Sequence, residues 1–129
     1  MNVPENLKYY KEHDWVRIDP DGTAVVGITE FAAESLGDIV FIELPEPGTE
    51  IQQFDKLGEI ESVKAVSELY TPIGGRVIEN NSVASNSPET VNDSPYDAGW
   101  LVKIRPSNTS ETDNLLSPTD YKALLASEG

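Results

Sequence analysis

Short runs of alternating apolar and polar residues, each cut off by glycine, proline or asparagine, set the pattern of this chain. Residues 15–18 and 23–28 flank Asp19-Pro20-Asp21-Gly22, which predicts two strands joined by a hairpin turn. Residues 39–44 predict a third strand, stopped by Pro45-Glu46-Pro47-Gly48. Further strands are predicted over 57–61, 65–70, 76–79 and 100–104, with Thr71-Pro72-Ile73-Gly74-Gly75 as a sharp reversal. Many short strands with frequent turns imply a sandwich or barrel. The period changes twice. Residues 30–36 predict a short helix with Thr29 as N-cap, Glu30 in its first turn and Gly37 as a left-handed stop. Near the end, Ser117 as cap, Pro118 at the first helical position and Asp120 form a capping box, and Leu116 with Tyr121 has staple spacing. A helix over about 117–127 follows, its Tyr121, Leu124 and Leu125 stripe expected to pack on the sheet. Residues 80–93, rich in Asn, Ser and acid, predict an exposed loop.

At 129 residues the chain fits one domain, 1–129, with a β core over about 7–105. Its 9 basic and 23 acidic residues give a formal charge of -14, which argues against nucleic acid and anionic membranes as partners and favours basic protein surfaces. There is no run of about 18 apolar residues, and Met1-Asn2-Val3-Pro4-Glu5 has neither secretory nor transit-peptide character. A cytoplasmic protein is expected, either bacterial or in mature form without a transit peptide.

With no cysteine, the chain can form no disulfide, thiolate metal site or cysteine nucleophile. His13 is its one histidine, so clustered imidazole metal sites are excluded. Asp19-Pro20-Asp21-Gly22 has its glycine two positions too early for a calcium loop and reads as a turn.

One residue stands apart. Lys64 is the only basic residue between Leu57 and Ile73, set in Glu61-Ser62-Val63-Lys64-Ala65-Val66-Ser67-Glu68 between two β-prone runs. A lysine at a hairpin tip among small residues and carboxylates suits enzymatic attachment of a group. An exposed lysine in a strand turn is more commonly a plain solubilising residue, and spacing alone does not select attachment.

The segment Gly58-Glu59-Ile60-Glu61-Ser62-Val63-Lys64-Ala65, with Gly37-Asp38-Ile39-Val40-Phe41-Ile42-Glu43-Leu44-Pro45 and Gly99-Trp100-Leu101-Val102-Lys103-Ile104, closely resembles the H-protein family of the glycine cleavage system. Further matches are His13-Asp14-Trp15-Val16, Tyr70-Thr71-Pro72-Ile73-Gly74-Gly75 and Val91-Asn92-Asp93-Ser94-Pro95-Tyr96. The resemblance runs from about Leu7 through the terminal helix, and the order and spacing of the motifs carry it. It implies a mainly β fold, a barrel-sandwich hybrid of the lipoyl and biotinyl carrier type, with a short internal helix and a C-terminal helix. Biotin carriers share that fold but place methionine on both sides of the lysine, where this chain has Val63 and Ala65.

What the resemblance implies is a monomeric carrier rather than an enzyme, with lipoate joined as an amide to Lys64. The redox sulfurs are then imported, which suits a cysteine-free chain whose task is position and recognition. Glu61, Ser62, Val63, Ala65 and Glu68 would form the recognition surface for the lipoate-attaching enzyme. The partners would be a pyridoxal-phosphate glycine decarboxylase, a tetrahydrofolate-dependent aminomethyltransferase and dihydrolipoyl dehydrogenase. Glu12, Asp14 and His13 are candidates to hold the loaded arm, whose terminal amine is cationic; aspartate stands at 14 where many family members have glutamate. Some H-like proteins instead relay lipoate to other acceptors, and an unmodified acidic β scaffold is the third reading.

Overall fold

Alternation becomes a sheet with two working faces. The computed structural model describes residues 1–128. The strands β1 (Lys8–Tyr10), β2 (Asp14–Ile18) and β3 (Ala24–Ile28) run antiparallel, the turn between β2 and β3 closed by the Gly22 amide on the Asp19 carbonyl at 2.9 Å. A helix, α1 (Glu30–Leu36), then leads to β4 (Ile39–Glu43), β5 (Glu50–Ile51), β6 (Lys56–Ser62), β7 (Val66–Tyr70) and β8 (Gly75–Asn80). Two short helices, α2 (Ser82–Asn86) and α3 (Glu89–Asp93), precede β9 (Val102–Pro106), and α4 (Pro118–Glu128) follows a 3-10 turn.

The strands form a six-stranded sheet, ordered β1-β2-β3-β9-β8-β5, and a three-stranded sheet, β4-β6-β7. One apolar core lies between them. Val16, Val26, Ile28, Val77 and Ile104 from the larger sheet meet Ile39, Ile42, Ile60 and Leu69 from the smaller. The barrel-sandwich expectation is met as two packed sheets that do not close into a barrel. The intervening residues Tyr9, Trp15 and Val25 form a second cluster, which Tyr121 of α4 completes. Side chains two apart share a face, so a one-residue slip would exchange the two clusters.

Both helix predictions hold, with their caps. Thr29 accepts from the Ala32 amide at 3.3 Å, and Gly37 ends α1 at a φ of +79°. Ser117 accepts from the Asp120 amide at 3.1 Å, and the Tyr121 ring stacks on Tyr9 at 4.5 Å. The strand expected over 100–104 is displaced to Val102–Pro106, although the Leu101 amide just before it still donates to the Val26 carbonyl of β3 at 2.8 Å. β1 and β5 lie outside every predicted run; with three and two residues they are too short for a period to show.

The exposed loop expected over 80–93 is a correction. That segment holds α2 and α3, which dock through Ala84 and Val91, both fully buried. Asn81 starts α2 by accepting from the Val83 amide at 3.2 Å while its side-chain nitrogen bonds the carbonyls of Ala98 and Trp100. Each five-residue helix needs only one buried residue, and one apolar position per helix gives no periodic signal.

Trp15 shows how tightly the outer face is set. Its indole N–H donates to the carbonyls of Ile28 at 3.0 Å and Pro95 at 3.1 Å, fixing the ring across its cross-strand partner Gly27. A Cβ at position 27 would lie 2.6 Å from the indole. Gly27→Ala is therefore expected to lower the unfolding free energy by about 1–3 kcal/mol, the usual range for overpacking. Urea denaturation checks it: the midpoint should fall at an unchanged slope.

Candidate functional site

Lys64 sits at the tip of the β6–β7 hairpin, exposed, with Val63 and Ala65 exposed on either side. The turn is organised from beneath. Ser62 is buried, and its hydroxyl accepts from the Ala65 amide at 3.1 Å and the Lys64 amide at 3.3 Å, while its own amide donates to the Ala65 carbonyl at 2.8 Å. A serine hydroxyl thus stands in for the second backbone bond of a tight hairpin. Neither Val63 nor Lys64 takes a positive φ, so the tip needs no glycine.

The tip is also tethered sideways. The Val63 amide donates to the Asp38 carbonyl at 3.0 Å. Asp38 lies between two backbone groups held by one side chain: Asn92 of α3 donates to the Gly37 carbonyl at 2.7 Å and accepts from the Ile39 amide at 3.0 Å. Over Gly37 runs the Lys64 stem, its Cε 3.3 Å from where a side chain at 37 would begin. The positive φ and the close approach both favour glycine there.

Beside the hairpin, between the edge of β7 and α1, is a cleft of about 340 Å³ lined by Glu12, His13, Phe31, Leu36, Val66 and Ser67 among others. His13 has a φ of +74° and stacks on Phe31 at 4.5 Å. Its Nδ1 lies 2.8 Å from the Tyr121 hydroxyl and its Nε2 3.1 Å from the Glu128 carboxylate. Tyr121 in turn meets the Thr29 hydroxyl at 2.7 Å, and burial pushes its phenol pKa up. The N-cap of α1, one cleft wall and the last turn of α4 are therefore joined through hydrogen bonds.

Glu12 and His13 both line the cleft. Asp14 does not: it is buried in β2 with its Oδ2 unpartnered. Desolvation raises its carboxyl well above the ordinary value of 3.8, and the neighbouring Glu12 adds to the shift. Around Lys64, Glu68 accepts from the Tyr70 hydroxyl at 2.7 Å, while Glu61 lies in register between Phe41 and Val66. Sequence reasoning reached the turn but missed the Asn92 brace and Phe31. The motif Val91-Asn92-Asp93-Ser94-Pro95-Tyr96 marked the place, but nothing in it says that one side chain closes on a glycine 55 residues away.

Comparison with known proteins places the whole chain among relatives of one kind. A family profile described as Glycine cleavage H-protein matches residues 7–128. Among curated relatives, a protein of Halorhodospira halophila named Glycine cleavage system H protein is 50% identical over 127 residues, covering 98% of each chain. One of Carboxydothermus hydrogenoformans with the same name is 52% identical, covering 98% of this chain and 97% of its own. A crystal structure of a glycine cleavage system H protein from Mycobacterium marinum superposes with a TM-score of 0.89 at 38% identity, covering 96% of this chain and 99% of that one.

Two outcomes are expected from this geometry. Asn92→Ala leaves the Gly37 carbonyl and Ile39 amide without partners, at a cost of about 1–3 kcal/mol; thermal unfolding should show the loss, and the Val63 amide should exchange faster with solvent. For Asp14, a folded-state pKa above the unfolded one means the folded protein prefers the protonated acid. Stability is then lost as pH rises from about 3.8 through the raised value. Asp14→Asn should match wild type in acid, be the more stable protein at pH 7 and show a flatter profile in denaturant titrations across that range.

Proposed function

The chain belongs to the glycine cleavage H-protein family, which makes it a lipoyl-carrying component of the glycine cleavage system, and we propose that Lys64 is the residue that bears the lipoyl group. The observation that carries this is an exposed lysine on a turn that is itself rigidly held, by Ser62 from below and by Asp38 and Asn92 from the side. A long arm swung from a fixed point sweeps a defined volume; one swung from a mobile loop does not. When attached to Lys64, the lipoyl group would supply the redox-active dithiolane that carries the aminomethyl group of glycine.

The chain's own residues position, shield and release. Val63 and Ala65 keep the approach to Nζ open to an attaching enzyme, and the turn supplies the backbone it grips. The cleft beside Lys64 suits the arm's return to the surface, with Phe31 and Leu36 against its apolar part and Glu12 near the entrance for its terminal amine. His13 fixes the wall of that cleft. Asp14, buried outside the cleft lining, takes no part in holding the arm. The enzymes served are a pyridoxal-phosphate glycine decarboxylase, a tetrahydrofolate-dependent aminomethyltransferase and dihydrolipoyl dehydrogenase.

Intact mass spectrometry tests the attachment site. Wild type from lipoate-replete cells should gain one lipoyl-sized increment that maps to Lys64. Lys64→Arg should gain none and lose glycine cleavage activity in reconstitution with the three enzymes, with stability changed by less than about 0.5 kcal/mol at this exposed position. Full activity in the variant would remove Lys64 from the proposal. For the cleft, Glu12→Gln should leave lipoylation intact and raise spontaneous release of ammonia and formaldehyde by the loaded carrier, by about fivefold at most, since an exposed ion pair contributes only about 0–1 kcal/mol.

A further inference from the structure

Arg17, Lys103, Arg105 and Arg76 share the outer face of the six-stranded sheet, and the fold occupies only the first two. Arg17 lies across from Val25 and Val25 from Lys103, while Arg105 stands two residues further along β9, directly opposite Arg76 on β8. Arg17 is tied to Asp19 at 2.8 Å, and Lys103 reaches Glu79 at 3.8 Å with its ammonium 4.9 Å from the centre of the Trp100 ring. Among the described residues neither Arg76 nor Arg105 forms an ion pair. Glu50 stands opposite Arg76 on β5 without closing on it, and Asp21, which feels the charge of Arg105, is already held by the Thr23 amide at 2.9 Å. Like charges directly opposite on neighbouring strands oppose the pairing they sit on. In a chain with 23 acidic residues and 9 basic ones, these two cations are nonetheless left facing each other. Beside them is a depression of about 460 Å³, lined also by Pro47, Gly48, Val77 and Ile78. Gly48 has a φ of +95°, and a side chain there would begin 3.9 Å from an Arg76 Nη, so that guanidinium lies over bare backbone.

We propose that Arg76 and Arg105 form a binding site for a small phosphate monoester, with the phosphate between the two guanidiniums and the organic body against Pro47 and Ile78. Charge and shape select this ligand. A carboxylate carries one charge, and a single guanidinium fork satisfies both its oxygens. A phosphate monoester has three free oxygens and a charge of about -1.5 to -2 near neutral pH, enough for two forks. Residues directly opposite across a ladder have Cβ atoms about 4.5–5.5 Å apart, so both forks can converge on one tetrahedral group. That group fills only part of the depression, and the rest is apolar, with Ile78 37% exposed. A long polyanion would meet the chain's charge of -14, whereas a small ester meets only the local pair. The site lies at the end of the strands away from the lysine turn: β7 runs from that turn to Tyr70, and the reversal over 71–74 delivers Arg76 at the far end. A ligand there leaves Lys64 uncovered, and the inference stands apart from the role of that residue.

The test titrates the full chain with phenyl phosphate, inorganic phosphate and benzoate, and follows backbone amide shifts. Phenyl phosphate should bind with shifts centred on residues 47–48, 76–78 and 104–106, inorganic phosphate more weakly at the same place, and benzoate not measurably. Arg76→Gln and Arg105→Gln should each weaken phenyl phosphate binding about tenfold or more, the usual loss of a charge-assisted contact, while Lys103→Gln changes it less than about twofold. Lowering the pH from about 7 to about 5, through the second phosphate ionisation near about 6, should weaken wild-type binding about tenfold, because the dianion is the ligand. Both arginine variants should melt no lower than wild type, since each removes a repulsion, so their lost binding is not lost folding. No shifts at millimolar phenyl phosphate overturn the proposal. Benzoate binding as tightly as phenyl phosphate overturns it too, as does an equal loss in Lys103→Gln, which would assign the effect to the charge of the whole face. Inorganic phosphate binding as tightly as the ester overturns the place given to the organic body.

Discussion

A sheet that is apolar on both faces must be covered twice, and that requirement shapes the rest of the molecule. At the β1–β3 end of the six-stranded sheet, Val16 and Val26 look inward to the smaller sheet while Trp15 and Val25 look outward. The inward cover supplies the β6–β7 hairpin, and with it the lysine turn. The outward cover is the C-terminal helix, whose Tyr121 stacks on Tyr9 and leaves its hydroxyl between His13 and Thr29. Burial of a sheet face thereby sets one wall of the cleft, through the Tyr121 hydroxyl on His13. The helix serves the site without touching the lysine.

Local rules were enough wherever an element carried its own signals. The Asp19-Pro20-Asp21-Gly22 turn, the Thr29 cap of α1 and the Ser117 cap of α4 stand where residue chemistry puts them. Motif order made the family legible, and Lys64 stood out as a single basic residue in an acidic stretch. What stayed hidden depends on partners distant in sequence. Asn92 reads as one more polar residue until it closes on Gly37 and Ile39. Asp14 reads as a surface acid beside Glu12 until β1 and β3 pair on either side of it. The helices α2 and α3 escape for a related reason: Ala84 and Val91 matter only because a core is there to receive them.

Rigidity and exposure ordinarily conflict, since groups that are well held are usually buried. The lysine turn separates them by giving the holding to neighbours. Ser62 is buried and carries four of the turn's hydrogen bonds, and the Val63 backbone is fixed at Asp38 while its side chain is in solvent. Only the polar scaffold beneath the tip is constrained in chemistry. The exposed residues are left free to serve recognition.

The place of β9 has a consequence in time. This strand is made last of the nine, yet it lies between β3 and β8. The larger sheet cannot close until the chain has been made through Pro106, and it joins strands from opposite ends of the sequence. The lysine hairpin pairs adjacent segments and needs no such wait. Contacts distant in sequence form more slowly than local ones, so during synthesis the two sheets follow different schedules. A chain interrupted before β9 carries a lysine hairpin with its pairing partners in hand, and two open strand edges, on β3 and β8, of the kind that recruit other chains.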